Sequence, residues 1–235
     1  MRGALMEKHT AVVTGIDRHA TDVVTLYFTL EDGSLLDYAA GQYVTVYFDG
    51  TTTSEGKAYS LCTAPHEPTI GITVKNIGEY SGKLHALKRG DVFLVSNAYG
   101  FFNPNTLRPL VCLCAGVGIS PVWSVLKSEL RRDEDREAHL FYSNKSSAGI
   151  AHLREIDAIR ESRVRFRASY HITQEANPPA PMRVGRIVLD ECVEAADDAR
   201  YLLCGSVGFV TAMARGLVER GVASTRISTE TFFES

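Results

Sequence analysis

At 235 residues, with 45% hydrophobic and 23% charged side chains, the chain can bury a substantial core as one large domain or two small ones. A formal net charge of −3, with no basic run interleaved with aromatics, argues against nucleic acid or an anionic membrane surface as a partner. No stretch has the length and apolarity of a membrane span, and Glu7, Lys8 and His9 stand where a secretory leader needs its apolar core, so a cytoplasmic location is expected.

The first hundred residues read as β structure. Residues 11–16, 22–30, 42–48, 71–75 and 91–96 are rich in Val, Thr, Tyr and Phe with partial alternation. Turn signals separate them: Glu31-Asp32-Gly33-Ser34, Asp49-Gly50, Glu67-Pro68 and Arg89-Gly90. Several short strands at this spacing predict an antiparallel barrel or sandwich, interrupted late by one helix over residues 80–87.

The pattern changes after Asn103-Pro104-Asn105. Residues 110–114 form a wholly apolar run, suited to a strand covered on both faces. A helix over 121–131, a strand over 138–142, a helix over 148–159 and a strand over 164–170 follow. A Pro-rich loop (177–181) precedes a strand over 201–204, a helix over 207–219 and a last strand over 226–231. Such alternation predicts an α/β doubly wound parallel sheet, and the domains are expected at 8–103 and 104–235.

Three segments carry candidate chemistry. Between a buried strand and a helix lies Ala115-Gly116-Val117-Gly118-Ile119-Ser120-Pro121. Its glycines permit a tight turn and close approach to a ligand, with Ser120 as a candidate N-cap and Pro121 as the first helical residue. The helix N-terminus would then favour a pyrophosphate, although the same turn also serves as a plain strand-to-helix connection. In Lys57-Ala58-Tyr59-Ser60, an aromatic beside a hydroxyl can stack on and hydrogen-bond a planar heteroaromatic, with Lys57 on the same side of the strand as Tyr59 for a phosphate. The plainer reading of a Tyr there is packing. Gly78-Glu79-Tyr80-Ser81-Gly82-Lys83-Leu84-His85 leads into the lone helix of the first half, where backbone N–H groups and the Ser81 hydroxyl suit either a second phosphate or a simple cap.

The five cysteines, Cys62, Cys112, Cys114, Cys192 and Cys204, form neither a CxxC pair nor a zinc-like spacing, so reduced thiols and no metal site are expected. They also exclude an in-chain plant-type iron–sulfur cluster, which needs four clustered thiolates.

Taken in order, KAYS, ITVKNIGEYSGKLH, NAYGFF, LVCLCAGVGISP, YLLCGS and TETFF resemble the ferredoxin–NADP reductase-like flavoprotein oxidoreductases, from about residue 10 to residue 233. The resemblance implies a flavin-binding β-barrel domain followed by a nucleotide-binding domain, with FAD as cofactor and NADH or NADPH as hydride donor. It implies that Tyr59 stacks on the isoalloxazine and that Ser60 hydrogen-bonds near flavin N5. Lys57 stands where the family usually has Arg, so the charge is kept and the bidentate fork is lost. Val74 and Lys75 would lie beside the flavin, and Gly78, Ser81 and Gly82 near its pyrophosphate. Gly116 and Gly118 would line the nucleotide site, where Val117 replaces a frequent Thr. Cys204 and Gly205 would sit near nicotinamide C4, with Ser206 in place of Pro. Glu230 would lie near the flavin, shielded by Phe232 or alternatively by Phe233. Tyr59, Ser60, Cys204 and Glu230 are thus the expected catalytic group.

The loop Tyr142-Ser143-Asn144-Lys145-Ser146-Ser147 would meet the nucleotide's ribose. Lys145 and the serines suit a 2′-phosphate, and equally a solvated loop, which leaves NADH and NADPH both open. Electrons would pass to a separate acceptor, a haem or iron–sulfur protein or a small molecule. Two other functions fit the same residues: a reductase releasing free reduced flavin, and a non-catalytic, nucleotide-responsive regulatory module. The sequence carries no signal of oligomeric state.

Overall fold

The computed structural model describes residues 7–49 and 55–232. The expected turn at Asp49-Gly50 runs out of that range, and Phe233 lies beyond it. Six strands form the first sheet: β1 (Lys8–Ala20), β2 (Val23–Leu30), β3 (Tyr43–Tyr47), β4 (Lys57–Ser60), β5 (Ile70–Lys75) and β6 (Val92–Ser96). Helix α1 (Glu79–Ala86) falls between β5 and β6. The order is β4-β3-β6-β1-β2-β5 with every pair antiparallel. The sheet curls until its edges meet, among the described residues at the isolated bridge Leu61↔Ile72, a Cys62 N–H to Gly71 carbonyl bond of 2.8 Å and a Gly71 N–H to Thr63 Oγ1 bond of 2.9 Å. It is therefore barrel-like and not closed by a continuous ladder.

β1 runs well past the expected residues 11–16. Its polar end, Asp17-Arg18-His19, has no apolar pattern of its own and is held by antiparallel pairing with β2, through register shifts at Val13/Gly15 and Arg18/Ala20. In β2, Val24, Leu26, Phe28 and Leu30 point into the barrel core, while Val23 and Thr25 on the other face are also buried. Both faces are covered because the second sheet's layer packs over the barrel.

That second sheet contains β7 (Leu110–Ala115), β8 (Ala138–Asn144), β9 (Phe166–Ile172), β10 (Arg183–Val184), β11 (Arg200–Ser206) and β12 (Ile227–Phe232). All pairs are parallel, in the order β10-β9-β8-β7-β11-β12. The helices are α2 (Ile119–Arg132), α3 (Leu153–Ser162), α4 (Leu189–Glu194) and α5 (Val207–Glu219). Because side chains alternate along a strand, Leu110, Cys112 and Cys114 join α2 and α3 in one core, while Val111 and Leu113 join α4 and α5 in the other. Burial on both faces explains the uninterrupted apolar run of β7.

Three expectations shift. The helix foreseen over 148–159 is a single 3₁₀ turn (Ser147–Gly149) followed by α3, because His152 sits in the left-handed region at φ 60° and breaks continuity. Ser120 is not an N-cap: a 3₁₀ turn over Gly116–Gly118 runs straight into α2, and the Ser120 hydroxyl donates to the Val117 carbonyl at 2.9 Å. β10 and α4 carry no sequence signal, being two and six residues long.

The two sheets are joined by a buried polar network. His152 Nε2 lies 2.8 Å from Thr73 Oγ1 on β5 and 3.5 Å from Thr25 Oγ1 on β2, and the two hydroxyls are 2.9 Å apart. On its other side His152 faces Glu155 at 3.5 Å, which accepts from Trp123 Nε1 at 2.7 Å and pairs with Lys127 at 3.3 Å. Lys127 reaches back across the interface to Glu67 at 2.5 Å. Burial disfavours a charged His152, but hydrogen bonds with Cys62 and Glu155 outweigh it and hold the pKa at about 9. Neighbouring His19, which shares Thr25 at 2.8 Å, is pushed down to about 4 by burial and by His152. Burial raises the Glu155 carboxyl, yet His152, Lys127 and Trp123 together hold it at about 2.

The linkage has a definite sign. The raised His152 pKa contributes stability below pH 6.5, and this is lost as pH climbs through 9. The depressed pKa of His19 costs stability as pH falls from 6.5 through 4, and that of Glu155 as it falls from 4.5 through 2. Urea unfolding midpoints should therefore peak near pH 6.5. His152→Gln should flatten the alkaline arm, removing on the order of 2 kcal/mol of the loss between pH 6.5 and 9. Parallel profiles for the two proteins above pH 6.5 would refute the assignment.

Candidate active site

The uncovered part of the interface between the sheets is a cavity of about 530 Å³, within the usual range for a small-molecule site. The barrel side is built by β4, β5 and the N-terminal turn of α1. The opposite wall is Val117 and Ser120 beyond β7, with Thr231 and Phe232 at the end of β12. Of the expected residues, Lys57, Tyr59, Ser60, Val74, Lys75, Gly78, Ser81 and Phe232 line it together. Period-2 alternation carries Lys57 and Tyr59 to one face of an edge strand, which leaves the tyrosine ring half-buried against open space. Burial, then the nearby Tyr80, pushes its phenol up to about 12.

One bond crosses the cavity wall and spans 170 positions of sequence: Ser60 Oγ donates to Glu230 Oε1 at 2.5 Å. Burial raises the Glu230 carboxyl above the ordinary carboxylate range, and the Ser60 bond opposes that rise. Glu230 does not itself line the cavity; its carboxyl is linked to it through Ser60, which does.

The Ser81 hydroxyl is committed within the protein. It accepts from the Ile77 and Gly78 N–H groups at 2.9 Å each and donates to the Gly78 carbonyl at 3.0 Å, shaping the turn into α1. Gly82, one residue further, does not line the cavity. Cys204 lies in register beside Glu230 but is fully buried beneath the cavity, its thiol pushed well above its ordinary value by burial and by Glu230.

β7 is flanked by β8 on one side and β11 on the other, so the order in which strands are added reverses between β7 and β11 while all stay parallel. In open α/β sheets the crevice at the carboxyl edge of such a switch is where ligands bind. Gly116 lies there in the left-handed region at φ 54°, with open space beyond its Cα. A Cβ at Gly118 would stand 2.4 Å from the Cys204 carbonyl oxygen and 2.9 Å from Gly205 N, so only glycine lets the start of α2 pack against the end of β11. Ser206 caps α5, accepting from Phe209 N–H at 3.4 Å, and so takes on a structural task in place of the expected Pro. Lys145 is exposed in the loop after β8, away from the cavity.

Thr73, Ile77, Tyr80 and Thr231 line the cavity without having been singled out from sequence, and Ser120, expected only as a cap, lines it too. Thr73 was legible in part, two residues before Lys75 and on the same strand face. Val117, which lacks the hydroxyl of a Thr, still reaches the cavity.

A barrel-like sheet apposed to a doubly wound sheet, with an aromatic–hydroxyl strand and a glycine turn meeting at their junction, defines a flavin- and dinucleotide-binding reductase core. Residues 112–215 match the family model of the oxidoreductase NAD-binding domain. The chain is 28% identical to terephthalate 1,2-dioxygenase reductase component 1 of Comamonas sp, over 97% of this chain and 69% of that protein. It is 32% identical to the flavohemoprotein of Bordetella pertussis, over 91% of this chain and 58% of that protein, and so spans little more than half of it. The flavohem-like FAD/NAD binding domain of nitric oxide dioxygenase from Vibrio cholerae superposes with a TM-score of 0.86 at 26% identity, covering 96% of this chain and 98% of that one. A ferredoxin NADP+ reductase from Neisseria gonorrhoeae, solved with FAD and NADP, shares the fold with a TM-score of 0.79 at 22% identity, covering 97% and 99%. Residues 112–215 thus match an oxidoreductase NAD-binding domain, and the relatives and structural neighbours of the chain are ferredoxin–NADP reductase-like FAD/NAD-binding oxidoreductases. Among the described residues, no helix is long and apolar enough to cross a membrane.

Two outcomes follow from this packing. Gly118→Ala is expected to destabilise the protein by about 1–3 kcal/mol, read as a lowered urea midpoint, and wild-type stability would contradict the close approach. All five cysteines are buried, so the native protein should give no rapid reaction with a disulfide thiol reagent and five equivalents once unfolded. A fast native equivalent mapped to Cys204 would overturn its placement.

Proposed function

We propose that this chain seats the isoalloxazine of FAD in the 530 Å³ cavity, accepts hydride there from NAD(P)H, and passes electrons to a separate acceptor. The observation that carries the reading is the cavity lined from both sheets, with Tyr59 and Ser60 on one wall, Phe232 on the other, and Ser60 bonded to Glu230 of the second sheet. The residues fit the group: a half-buried aromatic offers a stacking face, an exposed lysine stands at the rim for a phosphate, and the lining is mostly apolar. The natural partition of roles is residues 8–103 for FAD and 104–235 for the nucleotide.

When bound, FAD supplies the two-electron acceptor for hydride and the means of returning the electrons. Tyr59 orients the ring and excludes water from one face. Lys57 pairs with phosphate as a point charge, without the fork an arginine would offer. Ser60, held by Glu230, presents a fixed hydroxyl oxygen at the cavity, and the raised carboxyl of Glu230 can hold or release a proton behind it. Gly116, open beyond its Cα, admits the pyrophosphate at the switch point, and Gly118 lets α2 pack against Cys204 and Gly205 to form that turn. Phe232 forms the wall from the β12 side.

A dioxygenase reductase component and a flavohemoprotein among the relatives support a haem or iron–sulfur protein as acceptor, and a cytoplasmic setting accords with that chemistry.

The test is the visible spectrum of desalted protein, followed by anaerobic addition of NADH or NADPH. A retained flavin band that bleaches supports the reading. A colourless protein that takes up no FAD and oxidises neither nucleotide refutes it. Tyr59→Ala should weaken FAD binding at least ~10-fold, given the stacking area lost. Glu230→Gln can still accept from Ser60 but cannot carry the proton, and should slow flavin reduction ~100-fold with FAD affinity within ~3-fold of wild type.

A further inference from the structure

The loops that follow β8 and β9 are laced together beyond the end of their ladder. The last paired residues are Asn144 and Ile172. Past them, Thr173 N–H donates to the Asn144 carbonyl and Gln174 N–H to the Lys145 carbonyl, both at 2.9 Å. This continued register delivers Glu175 to Ser147. One carboxylate oxygen accepts the Ser147 N–H at 2.7 Å and the other accepts the Ser147 hydroxyl at 3.1 Å. Held at both oxygens, the carboxylate is fixed in place as well as charged.

Its position matters because β8 is the strand next to the glycine-turn strand β7, paired with it in parallel. In a doubly wound sheet the adenosine ribose of a dinucleotide lies beyond the carboxyl end of that strand, where an acid receives a free 2′-hydroxyl and a cation suits a 2′-phosphate. The serines of this loop suited a phosphate when read from sequence. In the folded chain, both the amide and the hydroxyl of Ser147 are already occupied by an anion. Lys145 is exposed on a flexible stem, where water screens its charge, whereas Glu175 is half-buried and anchored. The fixed charge dominates.

We infer that Glu175 is a specificity-determining residue that makes this chain select NADH over NADPH. The inference rests on the proposed nucleotide site at the β7–β11 switch point.

The test is calorimetric titration of the FAD-loaded protein with NAD+ and with NADP+, which differ only by the 2′-phosphate. The wild type should bind NAD+ at least ~10-fold more tightly, which is ~1.4 kcal/mol. Glu175→Gln should narrow the ratio to below ~3-fold, mainly by tightening NADP+. Ser147→Ala, which keeps the carboxylate and removes one anchor, should give an intermediate ratio. A wild type that favours NADP+ or binds both equally, or a Glu175→Gln ratio equal to wild type, overturns the role of Glu175 and leaves the reductase reading standing. Absence of binding by either nucleotide to a protein with native circular dichroism overturns the nucleotide site itself, and this inference with it.

Discussion

The structure depends on the outer face of the barrel strands β2 and β5 being covered by the α/β layer. Thr25 and Thr73 point out of the barrel into that contact, and their hydroxyls are satisfied by His152, which is itself held by Glu155. Buried polar groups of this kind are costly unless every member is paired, so the network aligns the two sheets in one relation. Lys127, anchored to Glu67 across the interface and to Glu155 within its own layer, repeats the constraint from α2. The left-handed His152 that delays the start of the expected helix is also the residue that bonds across the junction.

The cavity is what this contact leaves uncovered. Thr73 belongs to both, lining the cavity while bonding to His152, so the wall of the site is continuous with the joint between the sheets. On the far side, the Ser60–Glu230 bond ties a barrel edge strand to the last strand of the parallel sheet. The groups that line the cavity from the two layers therefore have separations set by the packing of whole sheets. Precise placement of this kind is what hydride transfer requires, because the reaction gains most from close and aligned rings.

Much of the site was readable from local pattern. Lys57, Tyr59 and Ser60 announced themselves by residue type on a short strand, and Gly116 and Gly118 by their place between an apolar run and a helix. Other features depended on partners distant in sequence. Cys204 sits in a matching motif, yet its neighbours in β7 and β12 bury it completely. Ser81 looked like a phosphate ligand, but its hydroxyl is consumed by the turn that it shapes. Glu175 gave no signal, since its meeting with Ser147 follows from the β8–β9 register and not from any spacing along the chain.

The amino-acid sequence alone determined the two kinds of sheet and the change between them, because strand alternation, buried apolar runs and glycine turns act over a few residues. Only the tertiary structure decided that the barrel's edges meet at a bridge and not through a full ladder, that Ser60 and Glu230 share a hydrogen bond, and that Glu175 is held against Ser147. Each of these joins residues separated by long stretches of chain, and such contacts are set by how layers pack and in what register strands pair. No local preference encodes them.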